Sequence, residues 1–470
     1  MILIFRNLTR RLDDPSGGTV AVIGNYGNTN LGDEATLTAI IEQIVRRRPK
    51  AKIIALSVDP DVTRGLYGVV SLAAWGGPKK PRGHPREESA PGRPSRPSIW
   101  TRRIRRPIAA IARGPITAFA RVRELGDEAI FLARCRLAMR GVDLLIVGGS
   151  GQIADEFGGP WNFPYRLLAW ITTAKAAGAR VAFVCVGAGS IRSGLSRTFL
   201  KAALSLADHR SLRDQRSHRT VQELGVRGAS VVAADVVFAL EAGAPPVART
   251  PSSPPRVIGF NVFPYHAPFY WPGADPKRYH AYLESAAQFI QWLGGSGYIV
   301  HLFPTQLRAD LQVIRDLVAT METRGIRLPA TQLIQAAVTG VESLAATVST
   351  VDLVVATRFH AIVMALRAGT PVLALSSQNK TDDLMADMGL AAYRVSIDHM
   401  SLNPLVARFT TLAQNAHQVR LQIQARTREL RHEVEEVMDG LLGVPRSDVD
   451  TGPIPTSATS PLAATHRPRR

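Results

Sequence analysis

The chain has 470 residues, is 46% hydrophobic, and carries 57 Lys and Arg against 38 Asp and Glu, a formal net charge of +19. That length and apolar content suit two ordinary cores, hence two domains rather than one or four. Two cysteines, Cys135 and Cys185, argue against a disulfide scaffold or a cysteine-based metal site, and no metal centre is expected. The opening apolar run is too short for a signal peptide and no stretch reaches membrane-spanning length without charge, so a cytoplasmic enzyme is expected.

From Thr19 to Ile23 the chain reads as a strand. A loop follows with Gly24, Asn25, Gly27, Asn28, Asn30 and Gly32, then an amphipathic helix from about Asp33. Glycines allow backbone amides close to a ligand, and a helix amino end favours anions or hydrogen-bonding oxygens. The spacing matches neither the dinucleotide fingerprint nor a phosphate loop with its Lys-Ser/Thr. A tight strand-to-helix turn, with Asp33 and Glu34 complementing the helix dipole, is an equal alternative to ligand contact.

The first domain is expected over 18–245, interrupted by a basic insert at about 76–125. From Lys79 to Arg123 two Lys and eleven Arg face only Glu87 and Glu88, so 13 minus 2 gives +11. The Pro-, Gly- and Ser-rich part, Gly77 to Ser98, is expected to be disordered. Beyond it, Trp100, Ile104, Ile108, Ile111 and Phe119 alternate with arginines, a mixture that fits an anionic membrane surface, while Pro107 and Pro115 limit any helix. A solvated insert weighs more than this membrane reading. Nucleic-acid binding ranks last, because no recognition motif accompanies the charge.

After the insert, Leu144 to Val147 reads as a buried strand ending in Gly149 and Ser150, with a helix through Ala169. A second buried strand, Val181 to Val186, ends in Gly187, Ala188, Gly189 and Ser190. The next strand ends in Arg213 and Asp214, with Ser217 in the first turn of its helix. A second domain is expected over 255–400. It opens with the aromatic-rich NVFPYHAPFYWPG around His266, which suits sugar stacking but more often is a loop packed by its own rings. His301 follows the run Tyr298 to Val300, close enough to a strand end to reach a crevice, although a core or loop role is the commoner one.

The stretch Val351 to Leu390 is the most informative. Two short apolar runs, Leu353 to Ala356 and Val372 to Leu375, have the length of buried parallel strands. The first delivers Arg358 and His360, the second Lys380, Asp382 and Asp383. Strand carboxyl ends are where open α/β sheets bind ligands, and this set suits a small, multiply charged anion. A long helical period from Ala407 to Leu442, in a C-terminal helix assigned to 404–443, is suited to packing back across the first domain. The polar, Pro-rich tail 445–470 is expected to be disordered. The repeated strand, glycine or charge, helix rule predicts an α/β fold of two parallel-sheet domains.

GNYGNTNLGDEA, VGGSGQI, SLRDQRS with ELGV, ADVVF at Ala234 to Phe238, and TRFHAIVMALRAGTPVLAL with NKTDDLMADMGL follow one another along the chain. In this order they resemble the polysaccharide pyruvyl transferase family, over about 19–240 and 255–395. The resemblance implies two Rossmann-like domains facing a cleft, as in GT-B glycosyltransferases. It also implies transfer of pyruvate from phosphoenolpyruvate, as co-substrate with no further cofactor, to two hydroxyls of a sugar, forming a cyclic ketal. The acceptor it implies is a cell-surface polysaccharide or a lipid-linked saccharide precursor; the expectation is a cytoplasmic enzyme, with a peripheral position at the inner face of the membrane as the alternative offered by the basic insert. The family's Arg-x-His falls on Arg358 and His360, its following basic residue on Lys380, and its Arg-Asp and Ser on Arg213, Asp214 and Ser217. The chain departs from the family's habit at Ser377, Gln378 and Asn379, where an aromatic and a proline often precede the lysine. It departs again at Ser190 and Ile191, where Gly-Pro often follows the middle Gly-x-Gly.

The donor chemistry agrees with these residues. Phosphoenolpyruvate combines a carboxylate with a phosphate of about 1.5 to 2 negative charges, so several cations must converge on it. Arg358, Lys380 and Arg213 are the expected donor-binding residues. Transfer needs a proton on the methylene carbon, and His360 is the expected general acid, or the donor to the departing phosphate, with Arg358 beside it in catalysis. Asn25, Asn28, Asn30, Asp33, Gly149, Ser150, Gly187, Gly189, His266 and His301 are the candidates for acceptor contact or cleft loops. The alternatives are a GT-B-like glycosyltransferase with a nucleotide-sugar donor and a basic membrane-associated binding protein with a degenerate site. The acceptor sugar and the oligomeric state are not legible.

Overall fold

The computed structural model describes residues 17–74, 126–149, 151–156, 158–241, 255–271 and 273–443. The basic insert, Ser150 and the C-terminal tail discussed above lie outside the described residues.

Two all-parallel sheets form the framework. The first contains β1 (Thr19–Ile23), β2 (Lys52–Ser57), β3 (Val70–Ala73), β4 (Leu144–Gly148), β5 (Arg180–Val186), β6 (His209–Leu212) and β7 (Val231–Val232), in the order β3-β2-β1-β4-β5-β6-β7. The second contains β8 (Val257–Asn261), β9 (Ile299–Phe303), β10 (Leu333–Gln335), β11 (Leu353–Ala356), β12 (Val372–Ser376) and β13 (Arg394–Ser396), in the order β10-β9-β8-β11-β12-β13. Strands β4, β11 and β12 are buried at every position. Helices cover both faces of a parallel sheet, so its central strands read as continuous apolar runs rather than alternating ones.

In each sheet the strand order reverses once, between β1 and β4 and between β8 and β11. Loops leaving neighbouring strands at such a point run to opposite faces and open a crevice at the carboxyl ends. The loops after β1, β4, β8 and β11 therefore border the two crevices.

The helix Leu31–Arg47 begins two residues before the expected start, because the Asn30 side chain accepts a hydrogen bond from the Gly32 amide and caps it. Its buried residues include Asp33, Glu34, Gln43 and Arg47 as well as the apolar stripe. Such burial arises because it lies between its own sheet and the second half, within one hydrophobic cluster that contains Val20, Ile40, Ile258, Ile362 and Leu441. The helix expected to run through Ala169 spans Phe163–Ala176.

The long C-terminal period is two helices, Leu402–Gln414 and Ala416–Leu442. Asn415 interrupts it, with its side-chain amide donating to the Thr411 carbonyl and so competing with the helical ladder. The first piece sets Phe409 against Phe289 and Trp292 in the second half. The second returns to the first half, where Asp439 pairs with Arg47 at 2.6 Å and Glu433 accepts from the Ala234 amide at 3.2 Å. No described helix is long and apolar enough to cross a membrane.

Candidate functional site

The loop after β1 and the loop after β9 are joined across the two halves. Asn30 and Gln306 form an antiparallel bridge, the Leu31 amide donates to the Thr305 carbonyl at 2.8 Å, and the Leu307 amide donates to the Thr29 carbonyl at 3.0 Å. Elsewhere between the halves, Arg216 reaches Asp383 at 2.6 Å. Within the first loop, Asn28 and Asn30 both donate to Asp33 Oδ2, at 3.1 and 2.9 Å. These asparagines therefore build the turn, and Asn25 lies half-buried beside them.

Between these ties, His360 comes from the first turn of the helix after β11 and packs on the backbone of Gly32, where any Cβ would overlap the imidazole. Its Nε2 lies 3.8 Å from Asp235 Oδ2, beyond hydrogen-bond reach. The same Asp235 oxygen accepts from Arg213 Nη1 at 3.2 Å, and its other oxygen accepts from the Val237 amide at 3.1 Å. The Arg213 guanidinium rests 4.4 Å from the centre of the Phe359 ring, and Lys380 Nζ lies 5.5 Å from the same ring. Three basic side chains from three different segments thus surround one spot.

Lys380 differs from the two arginines. No carboxylate pairs with it among the described residues, and burial followed by the nearby Arg213 charge lowers its pKa to about 8, with Glu156 opposing. Arg358 is instead bound to the fully buried Asp310, Nε donating at 3.1 Å and Nη2 donating to the same oxygen. Burial lowers the basicity of Arg358, but Asp310 outweighs it and the net shift is upward. Phe263 and Tyr270 stack on the guanidinium at 4.8 and 5.6 Å. Arg358 therefore stands at the cleft as half of an ion pair with Asp310, Arg213 is likewise paired with Asp235, and Lys380 carries the local charge excess.

Burial lowers the pKa of His360, with the Asp235 charge opposing. Among the described residues its Nε2 has no hydrogen-bond partner, nor have Asp33 Oδ1 and either polar atom of the buried Gln152 side chain. Unpartnered buried polar atoms cost free energy, and these three residues stand in the first helical turns after β1 and β11 and in the loop after β4, beside the switch points where a ligand could partner them. Among the described residues no cluster of three or more His, Cys, Asp or Glu could hold a metal ion.

The remaining candidates separate. Gly149 has φ 41°, and a Cβ there would strike Thr36, so it shapes the turn after β4. Gly187 and Gly189 zip that turn to the β5 loop through Ile153, the Ile153 amide donating to Gly187 and the Gly189 amide to Ile153. Ser217 Oγ accepts from the Ala188 amide at 2.8 Å and supports the same loop. His266 is bonded to Arg278 at 3.1 Å and edge-on to Tyr265. His301 is inside β9 rather than past its end, paired with Gly259 and Ile334, because Leu302 and Phe303 continue the ladder. It does not reach the crevice by ending a strand, and burial lowers its pKa.

With this geometry in place, the comparisons with known proteins are decisive for the family. A model of the polysaccharide pyruvyl transferase family matches residues 30–379, more than half of the chain. The chain belongs to that family. Its structure is similar to the S. aureus MnaA–UDP co-structure, with TM-score 0.51, 9% identity, and coverage of 93% of this chain and 100% of that one. It is also similar to UDP-GlcNAc 2-epimerase from Methanocaldococcus jannaschii, with TM-score 0.50, 10% identity, and coverage of 83% and 91%. At such identities the likeness establishes the fold, two parallel-sheet halves of GT-B type. No curated protein matches the chain.

Asp235, Asp310 and Gln152 were missing from the sequence-based site. Asp235 sits in the ADVVF motif and Gln152 in VGGSGQI, so the family resemblance held a signal for both. Asp310 had none, because its carboxylate matters only through contacts with Thr305, Gln306 and Arg358.

Proposed function

We propose that the cleft binds phosphoenolpyruvate and transfers its pyruvyl group to two hydroxyls of a saccharide, releasing phosphate. The observation that carries this reading is the convergence on Phe359, beside His360, of Arg213 and of Lys380, which forms no ion pair among the described residues. A phosphate and a carboxylate on a three-carbon frame match that compact, positive site.

The chemistry follows in balanced steps. His360, protonated in the complex, gives its proton to the methylene carbon of the enol, and the central carbon becomes electrophilic. One sugar hydroxyl adds there and loses its proton. The carbon–oxygen bond to phosphate then breaks, and the second hydroxyl adds and loses its proton, closing the ketal. Of the two protons released, one restores His360 and the other leaves with the phosphate. Burial keeps the free imidazole neutral more often than usual, and the bound dianion offsets this by favouring the imidazolium. Asp235 orients Arg213 and lies against the imidazole, while Arg358 with Asp310 holds the neighbouring wall.

Thermal unfolding with phosphoenolpyruvate or with UDP-sugars, followed by phosphate release with saccharide acceptors, tests the proposal. Stabilisation by phosphoenolpyruvate and acceptor-dependent phosphate release are expected. Stabilisation by a UDP-sugar alone would replace this reading with a nucleotide-sugar glycosyltransferase.

A further inference from the structure

We propose that Trp161, held by Tyr165 and Phe199, is a stacking platform for a sugar of the acceptor glycan next to the one that is modified. This rests on the pyruvyl-transfer reading of the cleft. Trp161 is 64% exposed, yet it is not loose. Its ring meets Tyr165 and Phe199 at angles of 59° and 66°, both at 5.5 Å between centres, and those two rings meet each other at 5.6 Å. The Tyr165 hydroxyl is itself fixed on Glu128 at 2.8 Å. An indole supported at an angle in this way is preorganised and keeps a face for a ligand.

Its position links it to the cleft. Trp161 precedes the helix that follows β4, and Phe199 lies on the helix Gly194–Ser205 that follows β5, so both stand at the carboxyl edge of the first sheet. In the same loop, Glu156 accepts from the Ser190 amide at 3.2 Å and is near enough to Lys380 to act on its charge. Glu156, near the donor cation, and the exposed indole thus belong to the one segment between β4 and its helix.

The other aromatic segment cannot do this. Phe263 and Tyr270 stack on Arg358, the Trp271 indole donates to the Pro264 carbonyl at 2.5 Å, and the Tyr265 hydroxyl is bonded to Asp398. Those rings pack their own loop and the ion pair. In the segments that carry Trp161 and Phe199, by contrast, Glu156, Asn162 and Arg192 are exposed polar residues, with Leu195 the exposed apolar one. One flat ring among hydroxyl-binding groups fits a pyranose, with its apolar CH face on the indole and its hydroxyls on the rim. A membrane-inserting surface needs a contiguous apolar patch instead.

The test is binding of soluble glucose, galactose and mannose oligosaccharides to the full chain, read by calorimetry. Trp161→Ala is expected to weaken the best oligosaccharide at least tenfold and Trp161→Phe less than threefold, while the thermal shift with phosphoenolpyruvate reports that each variant is folded. Equal affinity in Trp161→Ala, or no oligosaccharide bound by the native protein, overturns the platform. Loss of binding to vesicles containing anionic phospholipid, with oligosaccharide affinity unchanged, also overturns it in favour of a lipid contact. A missing phosphoenolpyruvate shift in the native protein, with the oligosaccharide effect present, would instead sink the donor reading alone.

Discussion

The backbone of Gly32 in the first half lies directly against the imidazole of His360 in the second, so close that a Cβ would overlap Nδ1, Cγ and Cβ of His360. Gly32 is helical, and alanine there is otherwise favourable for the helix. Gly32→Ala therefore acts through His360, and it is expected to lower kcat by at least about tenfold through misplacement of the acid. Steady-state kinetics check this, and a variant with native kcat would show that the Gly32 contact does not set the imidazole position.

His360 itself should give a pH signature with a defined direction. Its pKa in the free protein is lowered, first by burial, so the alkaline fall of kcat/KM is expected below the ordinary imidazole value. The fall in kcat is expected at higher pH, because the bound dianion stabilises the imidazolium. His360→Gln should cut kcat by roughly a hundredfold and remove both limbs. Native-like limbs in that variant would move the acid to another residue.

Lys380, with a pKa of about 8 in the free protein, makes donor binding proton-linked. An anion raises that pKa, so at pH 8 Lys380 is expected to contribute roughly half a proton of uptake on binding, measurable in the His360→Gln variant by calorimetry in buffers of different ionisation enthalpy. Affinity then falls as pH rises above about 8. The unliganded protein behaves oppositely. Between the folded pKa of about 8 and the ordinary value of 10.5, the unfolded chain binds more protons, so this group's contribution to stability rises with pH. Because His360 also gains a proton in the complex, the comparison is made in His360→Gln, where adding Lys380→Met should abolish the remaining proton uptake; uptake that survives would place the titrating group elsewhere.

Asp310 supports both Arg358 and the loop that meets the first half. Its carboxylate accepts from the Thr305 and Gln306 amides and from Arg358 Nε, at 2.9, 2.8 and 3.1 Å. Asp310→Ala leaves a buried guanidinium and two buried amides without their acceptor. A loss of about 3 to 5 kcal/mol in urea unfolding is expected. A loss below 1 kcal/mol would mean that water or Tyr270 replaces the carboxylate.

These relationships also show what could be read before folding. The strands β4, β11 and β12 were legible because burial on both faces leaves uninterrupted apolar runs, and strand ends announce Arg358, His360 and Lys380. The division of labour among the cations was not legible. Arg358 looks like a free donor fork in sequence, yet its partner lies 48 positions away. Arg213 and Asp235 are 22 positions apart and meet only because β6 and the turn at Val236–Ala239 fold together. The Gly-Asn loop permitted two readings, ligand contact or a tight strand-to-helix turn with Asp33 and Glu34 at the helix start, and local bonds from Asn28 and Asn30 to Asp33, five and three positions away, build the turn.

Glu34 offers a test of that loop which is separate from catalysis. Its Oε1 accepts from the Gly27 amide at 2.7 Å and its Oε2 from the Tyr67 hydroxyl at 3.0 Å. Burial nevertheless raises its pKa to about 7, the two hydrogen bonds opposing. Between the ordinary 4.5 and about 7 the folded protein keeps a proton that the unfolded chain has released. Stability from this group is therefore present at low pH and lost as pH rises through that window, by up to about 3 kcal/mol. Glu34→Gln keeps an oxygen for Gly27 and carries no charge at any pH. Urea unfolding should show the variant gaining on the native protein from pH 5 to pH 8. An equal difference between the two proteins at both pH values would mean that Glu34 is ionised in the folded loop throughout, and that the amide and hydroxyl bonds outweigh its burial.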